Sequence, residues 1–181
     1  MTTVVNLVAG PGAGKSTVAA ELFALLKFRQ INCELVTEYT KDLVWEKSFH
    51  RLDYQIGIFA EQHRRVTRLL GQVDIAITDS PMLMSLSGYA QKESRAFKEF
   101  VYSEHVKLDN MNFFLRRVPE MYEKSGRKQP LQRALDIDND LEKTMSDWVI
   151  PYVTLPVAPV TTSQKIIEIL ESTGKLLYTN R

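Results

Sequence analysis

A glycine-rich stretch near the start of the chain has the residue types and spacing of a phosphate-binding loop. Its glycines permit backbone angles and a close approach that side chains would block, so successive N–H groups can wrap around an anion. We expect these residues to bind the phosphates of a nucleoside triphosphate: Gly10, Gly12, Ala13, Gly14, Lys15, Ser16 and Thr17. Lys15 would reach the β- and γ-phosphates, and the Ser16 hydroxyl would bind Mg²⁺.

The elements predicted around this stretch are those that a phosphate-binding loop requires. An apolar run from Thr3 to Ala9 predicts a buried strand, and apolar residues at helical spacing predict a helix from Lys15 to Phe28. The N-terminus of such a helix adds a partial positive charge. The first glycine of the G-x-x-x-x-G-K-[ST] pattern is replaced by Ala9, which is also small. The alternative is a glycine-rich turn that happens to precede a lysine.

Two acidic residues stand at the ends of predicted buried strands. Glu38 follows a strand at 33–37, and Asp79 ends a strand at 75–79. Because ligands gather outside the carboxyl ends of parallel strands, both should lie near the loop. We expect Asp79 to hold Mg²⁺ and Glu38 to accept a proton from an attacking hydroxyl. The alternatives are a helix N-cap for Asp79 and a solvated carboxylate for Glu38, with Asp42 as a reserve base.

Candidate substrate contacts lie on and near a helix predicted from Tyr54 to Leu70. Gln62 carries a donor and an acceptor side by side, which suits the edge of a base or an amide. Arg65 lies on the same face of this helix, and Tyr39 could stack against a base. His63 falls on the apolar stripe, so we predict a core histidine rather than a ligand there.

A charged stretch from Arg116 to Arg133 begins where a fourth strand is predicted to end. Phosphoryl transfer spreads negative charge over the equatorial oxygens, and mobile arginines can stabilise that charge while excluding water. We therefore predict a lid over about 116–134, with Arg116 and Arg127 as catalytic candidates and Arg133 as a substrate contact. The alternative is an ordinary solvated helix.

Alternating strand and helix patterns predict an α/β fold with a mostly parallel sheet covered on both faces. Further strands are expected at 112–115 and within 152–160, and further helices at 40–47, 93–106, 138–148 and 163–172. The 181 residues suit a single domain, 1–181. Asp136, Asp138 and Asp140 are interpreted as acids at a helix N-terminus.

Composition excludes several other classes of protein. Lys plus Arg number 23 and Asp plus Glu 22, so net charge indicates no polyanionic partner. Cys33 is the only cysteine, which excludes a disulfide framework or a cysteine-based zinc site within one chain. No apolar run approaches membrane-spanning length, and we expect no leader before the first strand. We expect a soluble cytoplasmic protein that has no membrane partner.

With these residues assembled, the chain resembles the P-loop kinases that act on nucleosides and nucleotides, in particular nicotinamide-riboside-kinase-like and small phage AAA-type kinases. The resemblance is carried by the glycine-rich loop, Thr37-Glu38-Tyr39, Gln62, Thr78-Asp79-Ser80-Pro81 and the arginine-bearing stretch. It implies a three-layer sandwich with a five-stranded parallel sheet of order 2-3-1-4-5, helices on both faces and an arginine-bearing lid. A phage-encoded member would act in the host cytoplasm.

The resemblance implies an ATP- and Mg²⁺-dependent kinase that transfers the γ-phosphoryl group to a hydroxyl or phosphate group of a nucleoside- or nucleotide-type acceptor. Deoxynucleoside kinases place a glutamate after strand two as base, which supports Glu38. They carry Glu-Arg-Ser after strand three, however, where this chain has Thr-Asp-Ser. The base therefore stays open between Glu38 and Asp79.

Two alternatives to a small-molecule kinase are kept. Some phage P-loop kinases phosphorylate 5-hydroxymethyluracil bases within DNA, which requires cations along an open cleft and an aromatic residue, here Trp45 or Tyr39, to stack on a base. The candidate cations are Arg64, Arg65, Arg68, Arg116, Arg117, Arg127, Lys128 and Arg133. The other alternative is an NTPase switch without an acceptor, although the chain has no Asn-Lys-x-Asp guanine motif.

Overall fold

Five parallel strands form the central sheet of the computed structural model, which describes residues 1–117 and 131–176. Their order is β2-β3-β1-β4-β5, which confirms the predicted fold class and sheet order. All four neighbouring pairs are parallel. The strands are β1 (Thr3–Val8), β2 (Cys33–Val36), β3 (Ile75–Thr78), β4 (Asp109–Arg116) and β5 (Val153–Pro156).

Six α-helices connect and cover these strands within the described residues. They are α1 (Lys15–Phe28), α2 (Tyr39–Trp45), α3 (Gln55–Thr67), α4 (Arg95–Val106), α5 (Leu131–Asp147) and α6 (Thr161–Ser172). None of them combines the length and the apolar character that crossing a membrane requires.

The helices pack on both faces of the sheet because side chains of each strand alternate between the faces. In β1, Val5 and Leu7 pack against α1 and α6, whereas Val4 and Val8 pack against α3, α4 and α5. Each face therefore has its own apolar cluster. The residues that follow β1, β2 and β3 lie together at the carboxyl edge of the sheet.

Helix α5 extends well before its predicted start at Asp138. Ala134, Asp138, Leu141 and Met145 are all buried at helical spacing, so one face of the helix includes an acid among apolar residues. The interpretation of Asp136, Asp138 and Asp140 as acids at a helix N-terminus is wrong, since none of them lies in the first turn of α5 and Asp138 is buried inside the protein.

A buried segment with no predicted element follows β3. It forms two short 3₁₀ turns, Met82–Leu86 and Gly88–Ala90. Met82, Leu83 and Leu86 join the apolar cluster that also contains Phe59 of α3. The segment therefore forms a wall beside the carboxyl end of the sheet.

The prediction that His63 lies in the core is wrong. Its side chain is half-buried and lies 3.3 Å from Glu104, measured from Nε2 to Oε2. His105, in the last turn of α4, is the buried histidine at 3% exposure. Burial lowers the pKa of His105 to about 4.

The buried His105 predicts a loss of stability in mild acid. The pKa of His105 in the folded protein lies below its ordinary value. Between pH 7 and 5 the imidazole is therefore protonated in the unfolded chain but stays neutral in the folded chain. The free energy of unfolding should fall by about 2 kcal/mol over this range from this residue alone. Urea unfolding at both pH values should show a smaller fall in His105→Gln than in the wild type or in His50→Gln, an exposed control. Equal falls in all three would contradict the assignment.

Candidate functional site

The glycine-rich loop joins β1 to α1, as predicted. Gly12 and Gly14 have φ angles of 78° and 92°, in the left-handed region that favours glycine. Ala9 is fully buried at the end of β1, and its carbonyl accepts a hydrogen bond of 2.7 Å from the Lys15 ammonium. Lys15 also donates to the carbonyl of Gly10 at 3.0 Å. Burial lowers the pKa of Lys15, and the charges of nearby carboxylates oppose that shift.

A buried ion pair anchors this loop from the opposite side. The Asp138 carboxylate accepts a hydrogen bond from the Gly10 N–H at 2.6 Å and another from Arg117 Nε at 2.8 Å. Arg117 also donates to the carbonyl of Pro11 at 3.1 Å. A Cβ on Gly10 would lie 2.7 Å from the Asp138 carboxylate, so only glycine admits this approach. The amide of Gly10, predicted as a phosphate donor, is thus engaged by Asp138.

Oxygen atoms from the loop and from the ends of β2 and β3 surround the ammonium of Lys41. It contacts the Ser16 hydroxyl, lies 3.0 Å from Asp79 Oδ2 and lies 3.8 Å from Glu38 Oε2. Lys41 is in the first turn of α2, and the sequence analysis did not single it out. The structure brings Ser16, Glu38 and Asp79 together around the Lys41 ammonium, at the edge of the sheet where they were predicted to lie.

These oxygens fit the magnesium ion that a phosphate-binding loop implies. Asp79 is 3% exposed, and its Oδ1 has no hydrogen-bond partner in the described structure. Mg²⁺ prefers hard oxygen ligands and is commonly held by one or two carboxylates with substrate phosphates. No cluster of three or more His, Cys, Asp or Glu side chains suited to a metal occurs within 1–117 and 131–176. Ser16 and Asp79 are the residues that would hold the ion.

A cavity of about 330 Å³ opens from the loop toward the segment that follows β3. On the loop side it is lined by Pro11, Gly12, Gly14, Lys15, Ser16 and Thr17, together with Glu38, Thr40 and Lys41. The remaining wall is formed by Gln55, Ile58, Gln62, Ser80, Pro81, Met82, Met84, Ser85 and Tyr89. Apolar surface with a few polar groups is typical of a site for a small organic ligand.

Gln62 and Tyr89 are two of the polar residues of this wall. Gln62 is buried, and its Oε1 accepts a hydrogen bond of 3.1 Å from the Tyr39 N–H, so it also holds the start of α2. Burial raises the pKa of the Tyr89 phenol to about 12, and nearby carboxylates act in the same direction. Tyr89 therefore remains a neutral hydrogen-bond donor at neutral pH. It lies in the segment for which the sequence predicted no element.

Two predicted substrate contacts are placed away from the cavity wall. The Arg65 guanidinium pairs with Asp42 and lies 3.0 Å from Glu61, measured from Nε to Oε1. The ring of Tyr39 lies 5.1 Å from that guanidinium, and its hydroxyl accepts a hydrogen bond of 2.6 Å from Arg51. This pairing also engages Asp42, the reserve base, at the outer side of α2.

The predicted lid is described only at its ends. Arg116 is half-exposed and pairs with Glu142 of α5 at 2.7 Å, and Arg133 is exposed on the same helix. Arg127 and Lys128 lie outside the described residues. Among the other cations considered for a DNA cleft, Arg64 pairs with Glu61 at 2.8 Å.

Comparison with known proteins agrees with this geometry. A family model described as an AAA domain, AAA_28, matches residues 4–162, which include the loop, Glu38, Asp79 and Asp138. No curated protein matches the sequence significantly.

Two solved structures share the fold. The YorR protein of Bacillus subtilis, solved in complex with phosphorylated GDP, is 19% identical, with a TM-score of 0.58 over 96% of this chain and 99% of that chain. A deoxyadenosine kinase of M. mycoides, solved with dCMP and a flexible dCDP, is 17% identical, with a TM-score of 0.56 over 96% of this chain and 100% of the kinase. These likenesses show a P-loop nucleotide kinase fold. The AAA_28 family model matches more than half of this chain, and the chain therefore belongs to the AAA_28 family of AAA domains.

Proposed function

We propose that the chain is an ATP- and Mg²⁺-dependent kinase that transfers the γ-phosphoryl group to a hydroxyl of a nucleoside- or nucleotide-type acceptor. One observation carries the proposal: a single cavity joins the phosphate-binding loop and Glu38 to a largely apolar wall with amide groups. A nucleotide switch needs only the triphosphate site. The additional space of this cavity supports a second substrate placed in line with the terminal phosphate.

The division of work between the two acids follows from their different positions. Asp79 is buried and pairs with Lys41, whereas Glu38 is partly exposed and lines the cavity. In our proposal Asp79 and Ser16 hold the metal, which when bound would neutralise charge on the β- and γ-phosphates. Glu38 takes the proton of the acceptor hydroxyl as that oxygen bonds to the γ-phosphorus and the bond to the β-phosphate oxygen breaks.

Other residues in the proposal bind and orient. Lys15 stabilises the transferring phosphoryl group from the loop, and Tyr89 offers a hydrogen bond to an acceptor that packs on Ile58 and Met82. Gln62 already bonds Tyr39, Thr37 and Thr78, so it would exchange one of these hydrogen bonds to contact the acceptor. Nucleotides bound in the two similar structures support this class of acceptor. Arg127 and Arg133 are kept as the proposed lid cations, and Arg116 would first have to leave Glu142.

Phosphorylation of 5-hydroxymethyluracil within DNA is the second candidate. Trp45 at the end of α2 is 85% exposed, and Phe49, just after α2, is 58% exposed. Exposed aromatic rings are what the bases of a nucleic acid stack on at a protein surface. Against this candidate, Arg64, Arg65 and Arg116 are each engaged by carboxylates of the protein. With Arg117 paired to Asp138, four of the six described candidates are already engaged by carboxylates, which leaves little free positive charge for a phosphate backbone.

An acceptor panel tests the proposed function. Purified protein is incubated with [γ-³²P]ATP, Mg²⁺ and single acceptors: nucleosides, nucleoside monophosphates, and DNA with or without hydroxymethyluracil. We expect label on one nucleoside or nucleotide acceptor. Label on hydroxymethyluracil DNA alone would establish the second candidate, and slow release of phosphate without any labelled acceptor would establish a switch.

Replacing the proposed base should separate turnover from nucleotide binding. Glu38→Gln is expected to lower kcat by about 10²- to 10⁴-fold, because the amide cannot take the proton. The Kd for Mg·ATP should change little. Glu46→Gln, at the other end of α2, is the matched control and should keep wild-type turnover. Wild-type turnover in Glu38→Gln would transfer the base role to Asp79.

A further inference from the structure

The ammonium of Lys41 lies among the oxygens that would hold magnesium. We propose that Lys41 is an internal counter-cation: it occupies the metal position while the site is empty of nucleotide and moves to the phosphates when Mg²⁺ and nucleotide bind. This inference deepens the proposed function and rests on its magnesium–triphosphate site. It assigns Lys41, which lies outside the loop motif, a role in the binding of metal and nucleotide.

Geometry is the first argument. Ser16, Glu38 and Asp79 belong to three different parts of the chain, and all three present oxygens to one nitrogen, with Asp79 Oδ2 at 3.0 Å. Mg²⁺ binds oxygens at about 2.0–2.1 Å. An ammonium at hydrogen-bonding distance from Ser16 and Asp79, the two residues proposed to hold the metal, fills the same space, and the two like charges would repel each other strongly at such a separation. Lysine and metal are therefore mutually exclusive here.

The charge of Asp79 is the second argument. A carboxylate that is 3% exposed is costly unless a cation or hydrogen-bond donor compensates it. Lys15 gives no direct contact, since its ammonium is bound to the carbonyls of Ala9 and Gly10. Lys41 supplies the positive charge that directly contacts Asp79, with Nζ 3.0 Å from Oδ2. Without Lys41, the nucleotide-free site would bind a metal ion more tightly, because the ion would then compensate the charge of Asp79.

Freedom to move is the third argument. The Lys41 side chain is 45% exposed and lines the cavity beside the loop, so its flexible stem can turn without disturbing α2. A displaced ammonium would stay on the side where a terminal phosphate and an acceptor meet. A metal ion that arrives alone offers the displaced lysine no anion, whereas a metal–triphosphate complex does. Lys41 thereby makes metal binding depend on nucleotide.

Manganese binding to the nucleotide-free protein tests this dependence. The electron paramagnetic resonance signal of free Mn²⁺ reports the bound fraction for the wild type, Lys41→Met, Lys41→Arg and Lys47→Met. Lys47 is exposed just beyond α2 and serves as the matched control. We expect Lys41→Met to bind Mn²⁺ about tenfold tighter than the wild type, a ratio within the usual range of coupling between sites. Lys41→Arg and Lys47→Met should resemble the wild type, and ADP should remove most of the difference.

The outcomes separate this inference from the proposed function. Equal or weaker Mn²⁺ binding by a folded Lys41→Met, in a protein that still binds Mg·ATP, would overturn the counter-cation role and leave the kinase proposal standing. Tighter binding by Lys47→Met as well would show a general charge effect and would also overturn it. Failure of the wild type to bind Mg·ATP would overturn both proposals. Thermal melting confirms that Lys41→Met is folded, and the charge-retaining Lys41→Arg provides a second comparison.

Discussion

Lys15→Ala is expected to lower the rate of phosphoryl transfer by about 10³-fold or more, because it removes the loop cation nearest the transferring group. The fold should survive. The ammonium donates only to carbonyls of its own loop, Ala9 and Gly10, and the loop is open to water that can replace these bonds. Initial rates with the best acceptor from the panel measure the effect.

Two controls test whether the loss of turnover is specific to Lys15 and whether the variant is folded. Lys27→Ala, in the last turn of the same helix α1, removes an equal charge far from the loop and should keep wild-type turnover. Circular dichroism and thermal melting should be similar for Lys15→Ala and the wild type. Normal turnover in a folded Lys15→Ala would contradict the role of the loop in transfer.

Asp138→Leu is expected to lower the free energy of unfolding by about 3–5 kcal/mol, the usual cost of breaking a buried ion pair from one side. Asp138 is 7% exposed and accepts hydrogen bonds from Arg117 and from the Gly10 N–H. The substitution removes the carboxylate that compensates the buried guanidinium and releases the loop from α5. Urea unfolding gives the change in stability.

The same helix offers the control for this prediction. Asp136 is exposed two residues earlier, and Asp136→Leu should change the free energy of unfolding by less than about 1 kcal/mol. The double variant Arg117→Leu/Asp138→Leu should recover part of the loss, because no buried charge is then left uncompensated. A value for Asp138→Leu within 1 kcal/mol of the wild type would show that the pair does not anchor the loop.

Local sequence signals were sufficient to predict the sheet and the loop. The strands β1 and β3 are short apolar runs, and the alternation of strands with helices permits few arrangements other than a parallel sheet. The start of β4 was missed because Asp109 and Asn110 are polar, so only 112–115 was predicted. The positions of Ser16, Glu38 and Asp79 followed because each is adjacent to a strand end at the same edge. The bounds of α1 agree at both ends, since the glycine-rich loop fixes its start.

Long-range pairing could not be predicted in the same way. Asp138 is 128 residues away from Gly10 along the chain, and nothing near either residue indicates that they are hydrogen-bonded. Nothing in the sequence around Lys41 distinguishes it from other helix lysines, because Ser16 and Asp79 come close to it only in the folded chain. Arg65 and Arg116 seemed available as cations, yet their carboxylate partners, Asp42 and Glu142, come from elements distant in the sequence, α2 and α5. A single sequence shows charges and does not show how they are neutralised.

Isothermal titration calorimetry with ATP and Mg²⁺, carried out at two temperatures, tests the central claim most directly. We predict one ATP bound per chain in the presence of Mg²⁺, with binding much weakened in EDTA, since Ser16 and Asp79 would hold the metal together with the phosphates. Absence of binding by ATP, GTP and the other nucleoside triphosphates at both temperatures, in a protein shown to be folded, would contradict the claim.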